Sequence, residues 1–360
     1  HMLELSNVSN PPTSEVHFKN LNLTLQRGVV NVLLGPTLSG KTPLMRLMAG
    51  LDPCVKGTLA IDGKNVTGTS VQKRNVAMVY QQFINYPSLT VYENIASPLR
   101  IAGYGLAEID NRVQQAAALL KLTPYLESLP SNLSGGQQQR TAIARAIVKG
   151  ADLVLMDEPL GNLDYKLREE LRYELPRIIE QSNAIFVYAT TEPSEALLLN
   201  GNTVTLHNGQ VTQNGPTMDV YNYPSSLSSL QTFSDPPVNH IQVNKEGGHF
   251  CVGGVPVIPV AAAHNTLPDG RYNIALRPYH GSLKSQGVGE VALGMQLSSS
   301  EFTGSESFVH LDFFGAHWNF IATGEITALV GEQVTVYVNP ADFFIFNEAG
   351  LPLANIALEA

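Results

Sequence analysis

Cysteine is nearly absent from this chain, and long apolar runs are absent altogether. Cys54 and Cys251 are the only cysteines among 360 residues, which excludes a disulfide framework and suits a reducing compartment. No stretch approaches the roughly 18 to 20 consecutive apolar residues that cross a bilayer. No signal peptide opens the chain, and His1-Met2 reads as an expression-tag remnant. A soluble protein is expected, one that meets a membrane only through a partner. Basic residues are scarce too: 22 Lys and Arg against 31 Asp and Glu leave a net charge of −9. That is the wrong sign for a nucleic-acid binder, which replaces phosphate counterions with a concentrated basic patch. The histidines from His207 to His317 lack metal-ligand spacing, and the single tryptophan, Trp318, is expected to pack a core.

What is present describes an ordinary folded protein, 44% hydrophobic and 15% charged. It is too long for one core, so two domains are expected. The first part alternates short apolar runs with helical patterns, as a largely parallel sheet covered on both faces requires. Strands are expected at Val29–Leu34, Asn75–Tyr80, Leu153–Met156 and Ala184–Tyr188. Helices are expected after Lys41-Thr42 and at Ile109–Leu122, Gln137–Val148 and Tyr165–Gln181, the last kinked at Pro176. Asp62-Gly63 and Asn208-Gly209 read as hairpin turns. Helical patterns stop around Phe233-Ser234-Asp235-Pro236-Pro237, which places a boundary near Asp235. Residues 1–234 form the first domain, with a helical subdomain at about 82–150. Residues 235–360 form a β-rich barrel or sandwich, from runs such as Phe308–Phe313 and Gln333–Val338.

The run Val29–Leu34 leads straight into Gly35-Pro36-Thr37-Leu38-Ser39-Gly40-Lys41-Thr42, which fits the phosphate-binding pattern G-x-x-x-x-G-K-[ST]. Small residues let backbone N–H groups curl around anionic oxygens, and the helix that follows adds the positive end of its dipole. Lys41 is placed to reach the β- and γ-phosphates of ATP, and the Thr42 hydroxyl to ligate Mg²⁺. Pro43 falls in the first helical turn, where proline forfeits no needed hydrogen bond.

Two further segments narrow the class. Leu133-Ser134-Gly135-Gly136-Gln137, and the apolar Leu153–Met156 followed by Asp157-Glu158-Pro159, resemble the signature and Walker B segments of ABC-type ATPases. The resemblance implies that Asp157 reaches the metal through water and that Glu158 polarises attacking water as a base. It also implies that Ser134 and the glycines contact the γ-phosphate of nucleotide held by the opposite subunit. A helix cap explains Ser134-Gly135-Gly136 but leaves Gln137-Gln138-Gln139-Arg140 unexplained. Gly161-Asn162-Leu163-Asp164 is similar to the family's D-loop. Val79-Tyr80-Gln81 resembles its Q-loop, where Gln81 would touch metal and water and sense the membrane partner. Phe83 to Arg100, with Tyr86-Pro87 and Thr90-Val91-Tyr92-Glu93-Asn94, is similar to the stretch of importer ATPases that docks the transmembrane subunits. Ile274–Pro278, Phe302–Glu306 and Val338–Asp342 resemble the β-rich regulatory extension of sugar and polyol importer ATPases. The implied fold is an α/β P-loop ATPase domain with a helical subdomain, followed by a smaller all-β, OB-like domain.

Two departures qualify the resemblance. After the strand Ala184–Tyr188 the family usually has Thr-His-Asp, whose histidine contacts the γ-phosphate. Here Ala189-Thr190-Thr191-Glu192-Pro193 puts Thr191 in the histidine's place, and a hydroxyl is shorter and carries no imidazole charge. Near the N-terminus, where an aromatic usually stacks on adenine, Pro11-Pro12 align, with Phe18 the candidate substitute. The chain's own site is therefore expected to bind ATP and hydrolyse it poorly, while its signature is whole. Such a combination resembles one of the two unlike ATPase subunits of bacterial glycerol importers, through Tyr188–Pro193 and Met78–Phe83. That family implies a second ATPase, two transmembrane permease subunits, a periplasmic solute-binding protein and a place on the cytoplasmic face of the inner membrane. A homodimeric sugar-importer ATPase, a subunit using ATP only as dimer glue, and a soluble ABC ATPase acting on nucleic acid or ribosomes are the alternatives.

Overall fold

The computed structural model describes residues 2–353 apart from 72, 81–84 and 162, and the chain divides into two units, His1–Val220 and Tyr221–Ala360. In the first unit, β1 (Met2–Ser9), β2 (Leu21–Gln26) and β3 (Val30–Leu34) precede α1 (Lys41–Ala49), β4 (Lys56–Ile61), β5 (Lys64–Asn65) and β6 (Val76–Val79). Three helices follow, α2 (Val91–Ile101), α3 (Leu106–Leu119) and α4 (Gly135–Val148). Then come β7 (Leu153–Asp157), α5 (Tyr165–Gln181), β8 (Ile185–Thr190), α6 (Pro193–Leu199), β9 (Asn202–His207) and β10 (Gln210–Pro216).

The central sheet runs β10-β9-β3-β8-β7-β6. All its pairings are parallel except that of β10 with β9. Every residue of β3, β7 and β8 is buried, because helices and a second sheet cover both faces; hence these strands are apolar apart from Asn31 inside β3 and Asp157 and Thr190 at the ends of β7 and β8. The second sheet, β2-β1-β4-β5, is antiparallel, and β2 alternates accordingly, with Leu21, Leu23 and Leu25 inward and Asn22, Thr24 and Gln26 outward. The two sheets and α1 share one core, including Leu3, Leu25, Leu33, Leu44, Leu155 and Val187. The hairpins at Asp62-Gly63 and Asn208-Gly209 have positive φ at both turn residues (50° and 80°, 48° and 74°), the conformation that two-residue antiparallel turns demand.

Two helix expectations need correction. Helix α3 starts at Leu106 rather than Ile109, with extended Gly105 as its N-cap, and stops before Leu122 because Lys121 adopts φ 56°. Helix α2 was not among the expected helices: Pro98 interrupts its pattern, yet Thr90 caps it by accepting the Glu93 N–H at 3.2 Å. Among the described residues no helix is long and apolar enough to cross a membrane.

Helix α7 (Thr217–Asn222) spans the division, and α8 (Leu227–Thr232) belongs to the second unit. Its strands are β11 (Asn239–Glu246), β12 (His249–Val252), β13 (Val255–Pro259), β14 (Gly270–Leu276), β15 (Gly281–Ser282), β16 (Val291–Phe302), β17 (Glu306–Phe313), β18 (Ala316–Thr323), β19 (Gln333–Val338) and β20 (Phe344–Asn347). They form two antiparallel sheets, β13-β12-β11-β14-β20 and β15-β19-β16-β17-β18. Trp318 is fully buried between them and donates its indole N–H to the His240 carbonyl at 3.1 Å. Beside it, Asn319 N–H donates to Asn239 Oδ1 at 2.7 Å and Asn239 Nδ2 to the Asn319 carbonyl at 2.9 Å. These side-chain bonds stitch edge strand β18 to β11 and leave a near-barrel, OB-like all-β domain. Arg277 ties the segment before it to the barrel: its guanidinium donates to the carbonyls of Phe233 (2.8 Å) and Tyr221 (2.7 Å) and lies 3.8 Å from the Tyr221 ring centroid.

Candidate functional site

The carboxyl ends of β3, β7 and β8 lie side by side, Leu34 level with Thr190 and Asp157 level with Ala189, at the edge where open α/β sheets bind ligands. The loop after β3 returns tightly on itself: Gly35 N–H donates to the Thr190 carbonyl at 3.3 Å and Ser39 N–H to the Pro36 carbonyl at 3.1 Å. Two glycines are sterically required here. A Cβ on Gly35 would lie 2.4 Å from Ser39 Oγ, and Gly40, at φ 109°, would place one 2.8 Å from the Phe18 ring. Leu38 holds φ 64° as well, a strained non-glycine residue on the exposed crest Pro36-Thr37-Leu38. Pro43 sits in the first turn of α1, which Gly40 precedes as N-cap.

Lys41 is buried, and its ammonium donates to the carbonyls of Gly35 (2.6 Å) and Pro36 (2.9 Å). Burial pulls its pKa down, opposed by the nearby carboxylates of Glu158 and Asp157. Thr42 Oγ1 donates to Asp157 Oδ2 at 2.9 Å. Burial pushes the Asp157 carboxyl up, while Thr42 and Lys41 draw it back. Ser39 Oγ is buried without a hydrogen-bond partner. An unpartnered hydroxyl, a lysine held by loop carbonyls and a Thr–Asp pair match a nucleotide's phosphates and a hard cation. Among the described residues no group of three or more His, Cys, Asp and Glu could hold a metal.

Glu158 is half-buried with φ 44°, and its N–H donates to the Ala189 carbonyl at 2.9 Å. Thr191, the residue after β8, is exposed. Leu163 is buried and Asp164 exposed; Asn162 and Gln81 lie outside the described residues, as do Gln82 and Phe83. Phe18 cannot stack on adenine: its ring is fully buried in the core beneath Gly40. Pro12 is exposed.

At the signature, Leu133 is buried and Ser134 is the exposed N-cap of α4, ahead of Gly135, Gly136 and Gln137. Its hydroxyl accepts the Gln137 N–H at 3.2 Å while Gln137 Oε1 accepts the Ser134 N–H at 3.0 Å, a complete capping box. The cap thus accounts for Gln137, contrary to the sequence reading. It also orients the motif, since a hydroxyl that accepts the helix amide keeps its own proton free for an anion beyond the helix end. Fully buried Gln139 donates to the Pro159 carbonyl, so α4 is tied to the segment after β7. Replacing Ser134 with alanine is expected to lower stability by about 1 kcal/mol through the lost cap, measurable by urea unfolding; an unchanged midpoint would exclude a capping role.

Missed by sequence reasoning were Arg168 and Arg172 of α5, which bind Glu192; Asn94, named there only within the docking stretch, is fully buried and donates to the carbonyls of Tyr86 (3.1 Å), Leu89 and Thr90 (both 3.0 Å). Asn94 folds the segment leading into α2, where Tyr80, Tyr86 and Ile101 are exposed around a groove of about 420 Å³ that Arg145 and Lys149 also line. The arginines offered no sequence signal of this pairing.

Comparison with known proteins agrees with this geometry. A model of the family described as "ABC transporter" matches residues 18–161. The sn-glycerol-3-phosphate import ATP-binding protein UgpC of Escherichia coli O1:K1 / APEC is 36% identical over 294 residues, 81% of this chain and 82% of that protein. The putative ATP-binding protein BAB2_0493 of Brucella abortus (strain 2308) is 34% identical over 334 residues, 92% of this chain and 94% of that one. Among solved structures, the dimeric post-hydrolysis state of the ATP-binding cassette MJ0796 with ADP and Pi has a TM-score of 0.51 and 28% identity, covering 60% of this chain and 99% of that chain. With a similarity that runs past the phosphate loop into the β-rich unit, the chain belongs to the ATP-binding subunits of ABC transporters, ATPases that drive transport.

Proposed function

We propose that this chain energises import of a polyol or carbohydrate, glycerol or a close derivative, as one half of an unlike pair of ATPases. The relatives named for sn-glycerol-3-phosphate import support the cargo class. In this reading residues 1–234 bind nucleotide and 235–360 form a regulatory domain. Gly35 to Pro43 cradle the phosphates of ATP, Lys41 neutralises them, and Thr42, Asp157 and Gln81 hold Mg²⁺. When bound, the ion draws charge off the phosphates. Glu158 orients water, Leu163 and Asp164 face the neighbouring ATPase, and Leu133 to Gln137 complete that neighbour's site. Two transmembrane permeases dock on the groove around Tyr80, Tyr86 and Ile101, on the cytoplasmic face of the inner membrane, and a periplasmic binding protein delivers the cargo.

The observation that carries the asymmetry is Thr191. It follows Thr190, whose carbonyl accepts the first amide of the phosphate loop, and its side chain offers a hydroxyl where a histidine would donate or accept a proton. General acid–base groups contribute about 10²–10⁴-fold to rate, so this site should turn over slowly. In the reconstituted transporter, Glu158→Gln is expected to reduce transport less than the matching change in the second ATPase. Equal loss from both would end the asymmetric reading and favour two equivalent subunits.

A further inference from the structure

Glu192 occupies the N-cap of α6 yet its side chain makes no capping hydrogen bond. An acidic residue there ordinarily turns its oxygens to the helix's free N–H groups and positive dipole end. Both oxygens turn instead to α5: Arg168 Nη2 donates to Glu192 Oε1 at 2.5 Å and Oε2 at 2.6 Å, and Arg172 Nη2 donates to Oε2 at 3.3 Å. Arg168 also stands 3.6 Å from Glu195 Oε1, while Glu195 Oε2 accepts the Tyr188 hydroxyl proton at 3.0 Å. On the backbone, Arg168 N–H donates to the Asp164 carbonyl at 2.9 Å, and Glu192 N–H donates to Thr190 Oγ1 at 3.0 Å. One residue, Arg168, is therefore bonded by its main chain to Asp164 and by its side chain to the neighbour of Thr191. With side-chain exposures of 23% and 38%, the pair adds little to stability. Its effect is geometric, because one Arg168 nitrogen bridges both Glu192 oxygens while Arg172 holds the second of them, so the carboxylate is held from two positions of α5.

We propose that Arg168 and Glu192 are positioning residues that hold Thr191 beside the phosphate loop and make Thr191 and the Asp164 segment move as one. This rests on the reading of Thr191 as the residue that meets the γ-phosphate. Hydrogen exchange on the full chain with MgATP tests the coupling. Glu192→Gln and Arg168→Glu are each expected to speed exchange about tenfold in both 163–168 and 188–195. Arg168→Glu combined with Glu192→Arg should restore protection, and Glu192→Asp should keep part of it. A response confined to one segment, or no restoration in the charge-exchanged pair, overturns the proposal. Single-turnover phosphate release separates it from the reading beneath it. Thr191→Ala and Glu192→Gln should each slow release, the double variant no further than Thr191→Ala, as residues acting through one another require. Unchanged release in Thr191→Ala retires the reading of Thr191 and the positioning role with it. Slowed release in Thr191→Ala beside normal release in Glu192→Gln overturns the positioning role alone.

Discussion

Lys41→Ala should weaken MgATP binding by about 100-fold, the loss expected when charge-assisted hydrogen bonds worth about 1.5–3 kcal/mol vanish. Lys41 is buried within a loop whose carbonyls at Gly35 and Pro36 it satisfies at 2.6 and 2.9 Å, and the carboxylates of Glu158 and Asp157 are close enough to oppose the lowering of its pKa by burial. Its removal leaves two carboxylates facing incoming phosphate without that compensation. The turnover of whichever site it serves should fall by about 10²–10³-fold, as for loss of one preorganised donor at developing charge. Fluorescent-nucleotide titration of the full chain measures the first effect, and phosphate release the second. Affinity within tenfold of wild type would mean that Lys41 keeps to the loop carbonyls and does not reach the nucleotide.

Phe320→Ala should lower the stability of the second unit by about 3–5 kcal/mol, the range for deleting a fully buried aromatic. Only 1% of Phe320 is exposed. A Cβ on Gly281 would lie 2.1 Å from its ring, so Gly281 is small because the ring fills the space. The neighbouring Trp318, 6.3 Å away between centroids, is the only tryptophan in the chain. Its fluorescence in urea therefore reports on this unit alone. A loss below about 1 kcal/mol would mean that the barrel collapses into the space the ring leaves.

The strands of the central sheet were legible because burial on both faces leaves short runs dominated by β-branched, aliphatic and aromatic residues, Val30–Leu34, broken only by Asn31, and Ile185–Ala189 among them. The same holds for the hairpins at Asp62-Gly63 and Asn208-Gly209, whose turn chemistry is local. The sheet β2-β1-β4-β5 was not legible, since its members come from either side of the phosphate loop and β5 is only two residues long. Helix α2 hid behind Pro98. In the site, the glycine turns of the loop and the helix start at Ser134 were readable, yet Gln137 was misjudged, because a capping box depends on a side chain folding back that spacing alone does not reveal. Phe18 was misjudged for the opposite reason: an aromatic near the N-terminus looks available until the core beneath Gly40 is built.

What the sequence by itself determined is chemistry carried by contiguous residues. A glycine loop, a lysine at a helix start, a Ser-Gly-Gly cap and an apolar strand ending in Asp-Glu need only their own backbone to be intelligible. The tertiary structure alone decided the meetings of distant residues. Thr42 and Asp157 stand 115 positions apart in the chain yet share a hydrogen bond, because β3 and β7 both pair with β8. Arg168 reaches Glu192 only because α5 packs beside the start of α6. Such contacts depend on strand order and helix docking, which no periodicity encodes.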